Sequence, residues 1–485
     1  MSDASATGAP FASRRGWRLA AHAYAVVVAL GIGYFIAGSP LQVSEALRNM
    51  MAVQRTDLYE LLVLQFTQGG FLRPLLMAEI DIPFELAQGR YFEVFKTIHV
   101  AQVVLAAILF VNLRPVRNAV EMLAVPFGLA LLFGSHTFAG TVTEAFPINT
   151  FLTIVLCCLA AANLAQGPPS RRKDAAAVTL FVVAALTVET GLLVWVCLAA
   201  AWIAGFRGVS GRALLVTTAA LAAYMALRFG PLHVGAPALV ERSSGFGFRV
   251  LDPPEIIARF GDNPLLFYAY NVAAQVLTVL FAEPKAGVWV LVRGLSTGDW
   301  LLRDLLGVAA TTGATVLIGW YAASRVPVWR RGEVADDDRW LFVAAAMLAG
   351  NAVISYPYTK SVIVSPAGTF HALAAAIAFG TALERLGRAR LRPALALAVV
   401  LLTALSAAWT VRLVGLHYRL REKAFLTRND WMFVTVGRPP AEVDVRMYPA
   451  AGRLIEQLRE EAVSMRVPNP VFDPPRASRV FEEAW

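Results

Sequence analysis

Aromatic and basic side chains stand directly in front of one apolar segment late in the chain. The stretch SYPYTKSVIVSPAGTFHALAAAI places Tyr356, Tyr358 and Lys360 before a hydrophobic run. A lysine at such a position can anchor a helix at a membrane surface, or it can face an anionic ligand. The tyrosines can belong to an interfacial aromatic belt or hydrogen-bond the head group of a ligand. The stretch alone leaves both interpretations open.

A single glutamate interrupts the longest apolar run. Glu189 lies in VAALTVETGLLVWV, in a run long enough for two short helices that meet at this residue. Ionisable groups among membrane segments are costly and are therefore functional hypotheses by default. The Glu189 carboxylate can cap the helix that begins there, or it can orient a ligand or a catalytic base.

Other polar residues lie within or between the apolar segments. Lys96 and His99 are three residues apart, on one face of a predicted helix. Glu144 follows His136 across a short connection. Lys96 is accounted for if its side chain extends to the membrane surface, and His99 if it forms a hydrogen bond to another helix. Glu144 is accounted for if it lies in a solvated loop. The alternative for His99 and Glu144 is a position in a substrate pocket.

The composition defines the class of protein that must position these groups. Of the 485 residues, 57% are hydrophobic and 16% charged, whereas soluble domains carry about 25% charged residues. Apolar runs of roughly 17–25 residues recur along the chain, which is the length that crosses a bilayer core. The sequence therefore predicts an all-α polytopic membrane protein. The net charge of +9 lies mostly in short loops and indicates topology rather than nucleic-acid binding.

Basic connections predict the orientation of these segments. The apolar segments fall at about 17–37, 91–113, 119–138, 148–166, 174–187, 189–206, 212–229, 265–282, 305–322, 340–355, 362–383 and 393–413. Basic residues between them indicate a cytoplasmic N-terminus. If the polar segment 265–282 does not cross completely, about eleven spans result and the C-terminus lies outside. The alternative is about twelve spans with the C-terminus inside.

The domain organisation follows from these segments. Residues 1–16 form a cytoplasmic N-terminal segment, 17–413 a transmembrane module, and 414–485 a short polar tail, predicted to be periplasmic. Within the module, 38–90 is a long first outer loop with interfacial helices and 231–264 a second large outer loop. Because the cytoplasmic connections are short and the outer loops long and acidic, the outer face is the predicted place of function.

Several short motifs occur in an order that resembles the GT-C glycosyltransferases. They are Arg73-Pro74-Leu75 at the end of the first outer loop, Tyr91 with His99 eight residues later, Glu144 in TVTEAFPINT, Thr187-Val188-Glu189-Thr190, and Tyr356-Pro357-Tyr358 followed by Lys360 and Pro366-Ala367-Gly368. Together they resemble the protein O-mannosyltransferase-like, tetratricopeptide-associated branch of this superfamily. The resemblance covers about 20–410 and lies in the order and topology of the motifs rather than in any one of them.

The resemblance implies an inverting enzyme with a polyprenyl-phosphate-linked sugar as donor and a periplasmic active site. Such an enzyme needs a carboxylate to accept the proton of the acceptor and cations to hold the leaving phosphate. The family carries an acidic pair just after the first span, where Phe35–Pro40 has no acid. The first candidates for the base are therefore Glu45 and Asp57. The candidates for the phosphate are Lys360 and Arg73, together with Arg242 or, as the alternative, Arg249.

Three functions remain as hypotheses from the sequence. The first is a glycosyltransferase that modifies an unknown glycan, lipid or protein acceptor. The second is an inactive GT-C-like scaffold within a membrane complex that includes a partner membrane protein, and the third is a transporter or flippase of lipid-linked intermediates. The alanine-rich, arginine-over-lysine composition indicates a bacterial inner membrane. No dedicated metal-ligand cluster is visible in the sequence, so a divalent metal ion as cofactor is left open.

Overall fold

The structure is a computed structural model, and it describes most of the apolar region of the chain. The described residues are 14–39, 57, 59–60, 63, 72–143, 149–230, 243–244, 250–261, 264–357, 359–388 and 393–432. The predicted site residues that lie outside the described residues are Glu45, Glu144, Arg242, Arg249 and Tyr358. The tail after residue 432 lies outside them as well.

The described chain is helical apart from one short β-bridge. Its α-helices are α1 (Arg14–Ala37), α2 (Pro74–Ala87), α3 (Tyr91–Leu113), α4 (Ala119–Gly134), α5 (His136–Thr143), α6 (Thr150–Ala165), α7 (Arg171–Thr187), α8 (Leu193–Ala204), α9 (Gly211–Phe229), α10 (Pro253–Phe260), α11 (Pro264–Phe281), α12 (Val288–Thr297), α13 (Leu302–Trp329), α14 (Asp336–Ile354), α15 (Ser365–Arg388) and α16 (Pro393–Met432). Two 3₁₀ turns, Glu189–Leu192 and Ser361–Val364, precede α8 and α15. Ser243–Ser244 pairs antiparallel with Val250–Leu251.

Among the described residues, 6 helices are long and apolar enough to cross a membrane. They are Arg15–Ala37, Phe92–Leu113, Gly211–Phe229, Leu302–Trp329, Ser361–Gly387 and Ala396–Arg421. The count rises to 8 if two bent helix pairs are each one span. The prediction of an all-α polytopic membrane protein is therefore supported, whereas the predicted count of about eleven spans is not confirmed.

One bent pair falls on the segment that the sequence singled out as polar. Pro253–Phe260 and Leu265–Phe281 meet at 91°, as in a broken span or a re-entrant loop. The side chains of Asn271 and Gln275 are buried and donate hydrogen bonds to the carbonyls of Tyr356 and Ser355, over 2.9 and 2.5 Å. These bonds tie α11 to the end of α14. Incomplete crossing of 265–282 stays a prediction.

The helix α15 lies at the centre of the bundle. In an apolar 18-residue stretch of its span, 89% is buried inside the protein, compared with 6% in the corresponding stretch of Ala396–Arg421. Small residues allow close approach, since a Cβ on Gly128 would lie 2.9 Å from Ala376, and Phe127 stacks on Phe379 at 4.3 Å. Close packing through small residues is typical of helices in a bilayer, where apolar burial alone does not drive association.

The apolar run around Glu189 forms two short helices, as predicted. The helix α7 ends at Thr187, Val188 is extended, and the 3₁₀ turn begins at Glu189. The turn folds back tightly, because a Cβ on Gly191 would lie 1.9 Å from the carbonyl oxygen of Ala184. Only glycine fits at that position. The hairpin places the Glu189 carboxylate at one end of the bundle.

Candidate functional site

Two arginines from distant parts of the chain converge on Glu189. The Arg73 Nε and Nη2 atoms donate to Glu189 Oε2 over 2.9 and 2.5 Å. The Arg228 Nη1 atom lies 3.5 Å from Glu189 Oε1. We call these three residues the Arg73–Glu189–Arg228 cluster. Two of its members, Arg73 and Glu189, were predicted as site residues from the sequence, and the structure brings them together.

Each member of the cluster stands at the end of a helical element. Arg73 precedes Pro74, which occupies the first turn of α2, where proline is favoured. Glu189 opens the 3₁₀ turn after α7, and Arg228 lies in the last turn of α9. The helix α2 packs against α3 and α7, which carries Arg73 towards the hairpin. The cluster is thus assembled by element ends rather than by one helix face.

Among the described residues, the cluster carries more positive than negative charge. Two guanidinium groups share one carboxylate, and the side chains of Arg228 and Glu189 are only 12% and 15% exposed. Glu189 Oε1 and Arg228 Nε are buried and have no hydrogen-bond partner among the described residues. Buried polar atoms of this kind are normally satisfied, so unpaired ones need an explanation. An anionic ligand would supply the missing charge and an acceptor for Arg228 Nε, and a hydroxyl group on that ligand would donate to Glu189 Oε1.

Tyrosines surround the Arg228 side of the cluster. The Tyr224 hydroxyl lies 3.4 Å from Arg228 Nη1. Tyr356 interacts electrostatically with Arg228, and its ring meets that of Tyr268 edge to face at 4.5 Å. Tyr356 was predicted from the sequence as a pocket residue. The structure therefore combines aromatic surface, phenolic hydroxyls and guanidinium groups at one place, which suits a ligand with both polar and apolar parts.

A second carboxyl group contacts the hairpin that carries Glu189. Thr187 Oγ1 donates to Glu79 Oε1 over 2.7 Å, while Glu79 Oε2 is buried with no hydrogen-bond partner in the described part of the chain. Burial raises the pKa of Glu79 to about 7, although the Thr187 hydrogen bond acts in the opposite direction. A carboxyl with this pKa exchanges its proton near neutral pH, which is the property that general acid–base chemistry requires.

The contacts of His99 are those of a residue that connects helices. It is fully buried, and its Nε2 atom lies 2.7 Å from the carbonyl oxygen of Thr141. The Asn149 side chain donates to the same carbonyl over 3.0 Å. These contacts tie α3 to α5 and to the start of α6. The hydrogen bond between helices that the sequence suggested for His99 is confirmed, and a role in a substrate pocket stays a prediction.

The remaining predicted residues occupy separate elements. Asp57 is exposed and accepts a hydrogen bond from the backbone N–H of Glu60 over 3.0 Å. Tyr91 opens α3. Lys360 is partly buried and precedes the 3₁₀ turn Ser361–Val364, which packs against α5. In the described part of the chain, no group of three His, Cys, Asp or Glu side chains could hold a metal ion.

Sequence reasoning missed Glu79 and Arg228 as candidates. Arg228 closes the apolar stretch LLVTTAALAAYMALRF, and an arginine in the last turn of a span is usually an interfacial anchor. Glu79 is one of several acids in LLMAEIDIPFEL. Helical spacing within that stretch would have shown that Glu79 lies beside Leu75, Leu76 and Pro83, a mainly apolar surface. Only the folded chain distinguishes it from Asp81 and Glu85.

Comparison of the chain with protein-family models, with curated proteins and with solved structures finds no match. Its function must therefore be argued from the site itself.

Proposed function

We propose that this protein is a membrane glycosyltransferase that transfers a sugar from a polyprenyl-phosphate-linked donor to an acceptor on the periplasmic face of a bacterial inner membrane. The observation that carries the proposal is the pair of arginines on one partly buried carboxylate in the Arg73–Glu189–Arg228 cluster. The N-terminus is cytoplasmic in this proposal, and the acceptor is a glycan, a lipid or a protein.

Charge is the first support for an anionic donor. With one carboxylate between two guanidinium groups, the described residues of the cluster have an excess of one positive charge. Arginine presents planar N–H groups that match phosphate oxygens in pairs. During sugar transfer the bond between the anomeric carbon and the phosphate breaks, and negative charge grows on the phosphate. Arginines placed there would stabilise that charge in the transition state.

Position is the second support. Arg228 lies in the last turn of the candidate span Gly211–Phe229, so a membrane-embedded bundle places it near the level where the bilayer core ends. A lipid phosphate lies at this same level, with its hydrocarbon chain among the helices. Tyr356, Tyr268 and Tyr224 provide the amphipathic side chains that suit this boundary.

The test is sugar release and transfer by the purified full-length protein in lipid nanodiscs. The donors are radiolabelled polyprenyl-phosphate hexose and polyprenyl-phosphate pentose, and the acceptors are water and a membrane extract. We expect Arg73→Gln and Arg228→Gln to lower turnover by about 100-fold, since each removes a charged contact to the leaving group. The matched control is Arg331→Gln, whose guanidinium is 60% exposed and pairs with Glu333.

The outcomes separate the three hypotheses. Turnover in the wild type that both cluster variants lose supports the enzyme. A folded wild type that transfers sugar from neither donor favours the GT-C-like scaffold. Accumulation of intact donor across sealed vesicles, without transfer, favours the transporter or flippase. Asp57→Ala, Glu45→Ala and Lys360→Ala belong in the same assay, because the resemblance to GT-C enzymes implies roles for these residues.

A further inference from the structure

Two polar contacts link the helix α2 to the end of α7 and the turn that follows it. Arg73 contacts Glu189 at 2.5 Å, and Glu79 accepts from Thr187 at 2.7 Å. The two partners on α2 are six residues apart, or about 9 Å along a helix axis, and the partners on the hairpin are two residues apart. Through Thr187, the Glu79 carboxyl therefore contacts the hairpin that carries Glu189 two residues further along the chain.

Only one oxygen of the Glu79 carboxyl is engaged. Oε1 accepts from Thr187, whereas Oε2 is buried without a hydrogen-bond partner among the described residues. The other titratable group in electrostatic contact with Glu79 is the Cys157 thiol on α6. Among the described residues Glu79 forms no ion pair, while Glu189 is already engaged by two guanidinium groups. Among the described residues, Glu79 Oε2 thus has no cation beside it, whereas Glu189 Oε1 lies 3.5 Å from Arg228 Nη1.

We propose that Glu79 is the proton acceptor of the sugar transfer, with Oε2 as the basic atom and Thr187 as the residue that positions the carboxylate. This inference rests on the proposed function. It assigns to Glu79 a role for which Glu45 and Asp57 are the candidates from the sequence.

The step balances with the residues that the chain provides. The oxygen of the acceptor hydroxyl attacks the anomeric carbon from the face opposite the phosphate, and a new C–O bond forms as the old one breaks. The electron pair of the broken bond stays on the phosphate oxygen, next to Arg73 and Arg228. The acceptor proton moves to Glu79 Oε2. The products are the glycoside, the polyprenyl phosphate and a protonated Glu79, which returns its proton to water.

A purely structural role for Glu79 makes different predictions. In that case the carboxyl serves only to link α2 to α7 through the Thr187 hydrogen bond. Glutamine keeps an oxygen that accepts from Thr187 but has no basic carboxylate, whereas Thr187→Val removes the hydrogen bond and keeps the base. The two substitutions therefore separate catalysis from packing. Glu85→Gln on the same helix is the matched control, because Glu85 is exposed.

The experiment measures kcat/KM for polyprenyl-phosphate hexose against pH with the full-length protein in nanodiscs. We expect Glu79→Gln to lose about 100-fold or more at pH 8, since general-base groups contribute about 10²–10⁴-fold. The wild-type rate should rise with pH through about 7, where the pKa of Glu79 lies, and this limb should be absent in Glu79→Gln. Thr187→Val should lose less than about tenfold and move the limb to higher pH, because the hydrogen bond that lowers the pKa is gone.

Each outcome decides the inference. A Glu79→Gln protein within about threefold of the wild type overturns it and leaves the proposed function standing. A Thr187→Val protein as inactive as Glu79→Gln, with an unmoved pH limb, assigns Glu79 a structural role and also overturns it. A folded wild type that transfers no sugar at any pH overturns both the inference and the proposed function.

Discussion

The helix α14 connects two ionic clusters that differ in one property. At its first turn, Asp337 and Asp338 pair with Arg114 and Arg325. Near its other end, Gly350 packs against Leu193 and Val196, at the start of the helix that follows the Glu189 turn. The helix has 19 residues and is about 28 Å long, so the two clusters lie on opposite sides of the bundle. Both contain two arginines, but within the part of the chain that the structure describes only the first has a carboxylate for each.

The cluster at the first turn of α14 is balanced and satisfied. Asp338 is fully buried and accepts from Tyr321 Oη at 2.8 Å, from Arg325 Nε and Nη2 at 2.9 and 2.8 Å, and from the backbone N–H of Ala335 at 2.9 Å. The Arg114 guanidinium donates to both oxygens of Asp337, at 3.2 and 2.9 Å. Every charge has its counter-charge, which is the arrangement expected of a connection that holds α3, α13 and α14 together.

The Arg73–Glu189–Arg228 cluster has excess charge and unsatisfied atoms instead. An ion pair that serves packing alone gains nothing from a second arginine or from buried atoms without partners. We propose that the charge balance of a buried cluster, rather than the mere presence of ionisable residues, distinguishes a ligand site from a structural connection. This distinction is testable, because removal of an arginine should cost more stability at the balanced cluster than at the Arg73–Glu189–Arg228 cluster.

The largest effect is expected at the balanced cluster. Arg325→Ala leaves the buried Asp338 charge without its cation, and breaking a buried pair costs about 3–5 kcal/mol. Thermal and denaturant unfolding in detergent should show this loss. The control Arg331→Ala removes an exposed pair with Glu333, and it should change the stability by less than about 1 kcal/mol. Equal stability of the two variants would contradict the structural role of Arg325.

A smaller change in stability should follow Arg228→Gln. Glu189 keeps its contact with Arg73 at 2.5 Å after this substitution. The neutral glutamine also replaces a buried cation whose Nε atom has no hydrogen-bond partner among the described residues. We expect a loss of less than about 2 kcal/mol in unfolding free energy, alongside the large loss of sugar transfer predicted above. If Arg228→Gln unfolds as readily as Arg325→Ala, the two clusters do not differ in the way proposed.

The stability of the protein should also depend on Glu79 through pH. The folded protein holds the pKa of Glu79 at about 7, above the ordinary value of 4.5, so folding favours the protonated form. Glu79 therefore contributes most to the free energy of unfolding below pH 4.5, and this contribution is lost as the pH rises through about 7. Glu79→Gln should therefore be more stable than the wild type at pH 8, by at most about 3 kcal/mol.

The matched measurement is the difference in unfolding free energy between Glu79→Gln and the wild type at pH 5 and at pH 8, with Glu85→Gln beside them. The advantage of Glu79→Gln should shrink at the lower pH, and Glu85→Gln should follow the wild type throughout. A difference that is the same at both pH values would show that the Glu79 carboxyl is not held protonated in the folded protein.

The smallest expected effect concerns the tyrosines. Tyr356→Phe keeps the ring that meets Tyr268 at 4.5 Å and removes only the hydroxyl. A lost hydrogen bond to a neutral group, such as a hydroxyl of the donor sugar, costs about 1 kcal/mol. Polyprenyl-phosphate hexose should therefore bind Tyr356→Phe about fivefold more weakly than the wild type, with unfolding unchanged. Unchanged affinity would limit Tyr356 to packing.

The sequence predicts the class of fold because length and hydropathy determine it. Apolar runs long enough for a bilayer give helices, and the helices α7 and α8 meet at Glu189 as the run around it suggested. The number of spans is harder to predict, because short apolar helices such as Thr150–Ala165 and Val288–Thr297 are not distinguished from spans by composition alone.

The site was predictable only in part. Glu189 stands out as an acid in an apolar run, and Arg73 was a candidate because Arg73-Pro74-Leu75 resembles a motif of the GT-C enzymes. Their pairing depends on how α2 docks against α7, over a separation of 116 residues, and no local pattern encodes that contact. Arg228 and Glu79 look like ordinary interfacial charges until the fold places them beside Glu189 and Thr187.

In the proposed function, the Arg73–Glu189–Arg228 cluster binds a lipid phosphate. The most direct measurement is the Kd of polyprenyl phosphate for the wild type, Arg73→Gln, Arg228→Gln and Arg331→Gln in nanodiscs. We predict that each cluster variant binds about 10- to 100-fold more weakly, since a hydrogen bond to a charged group contributes about 1.5–3 kcal/mol, and that Arg331→Gln matches the wild type. Equal affinity of all four proteins would contradict the claim.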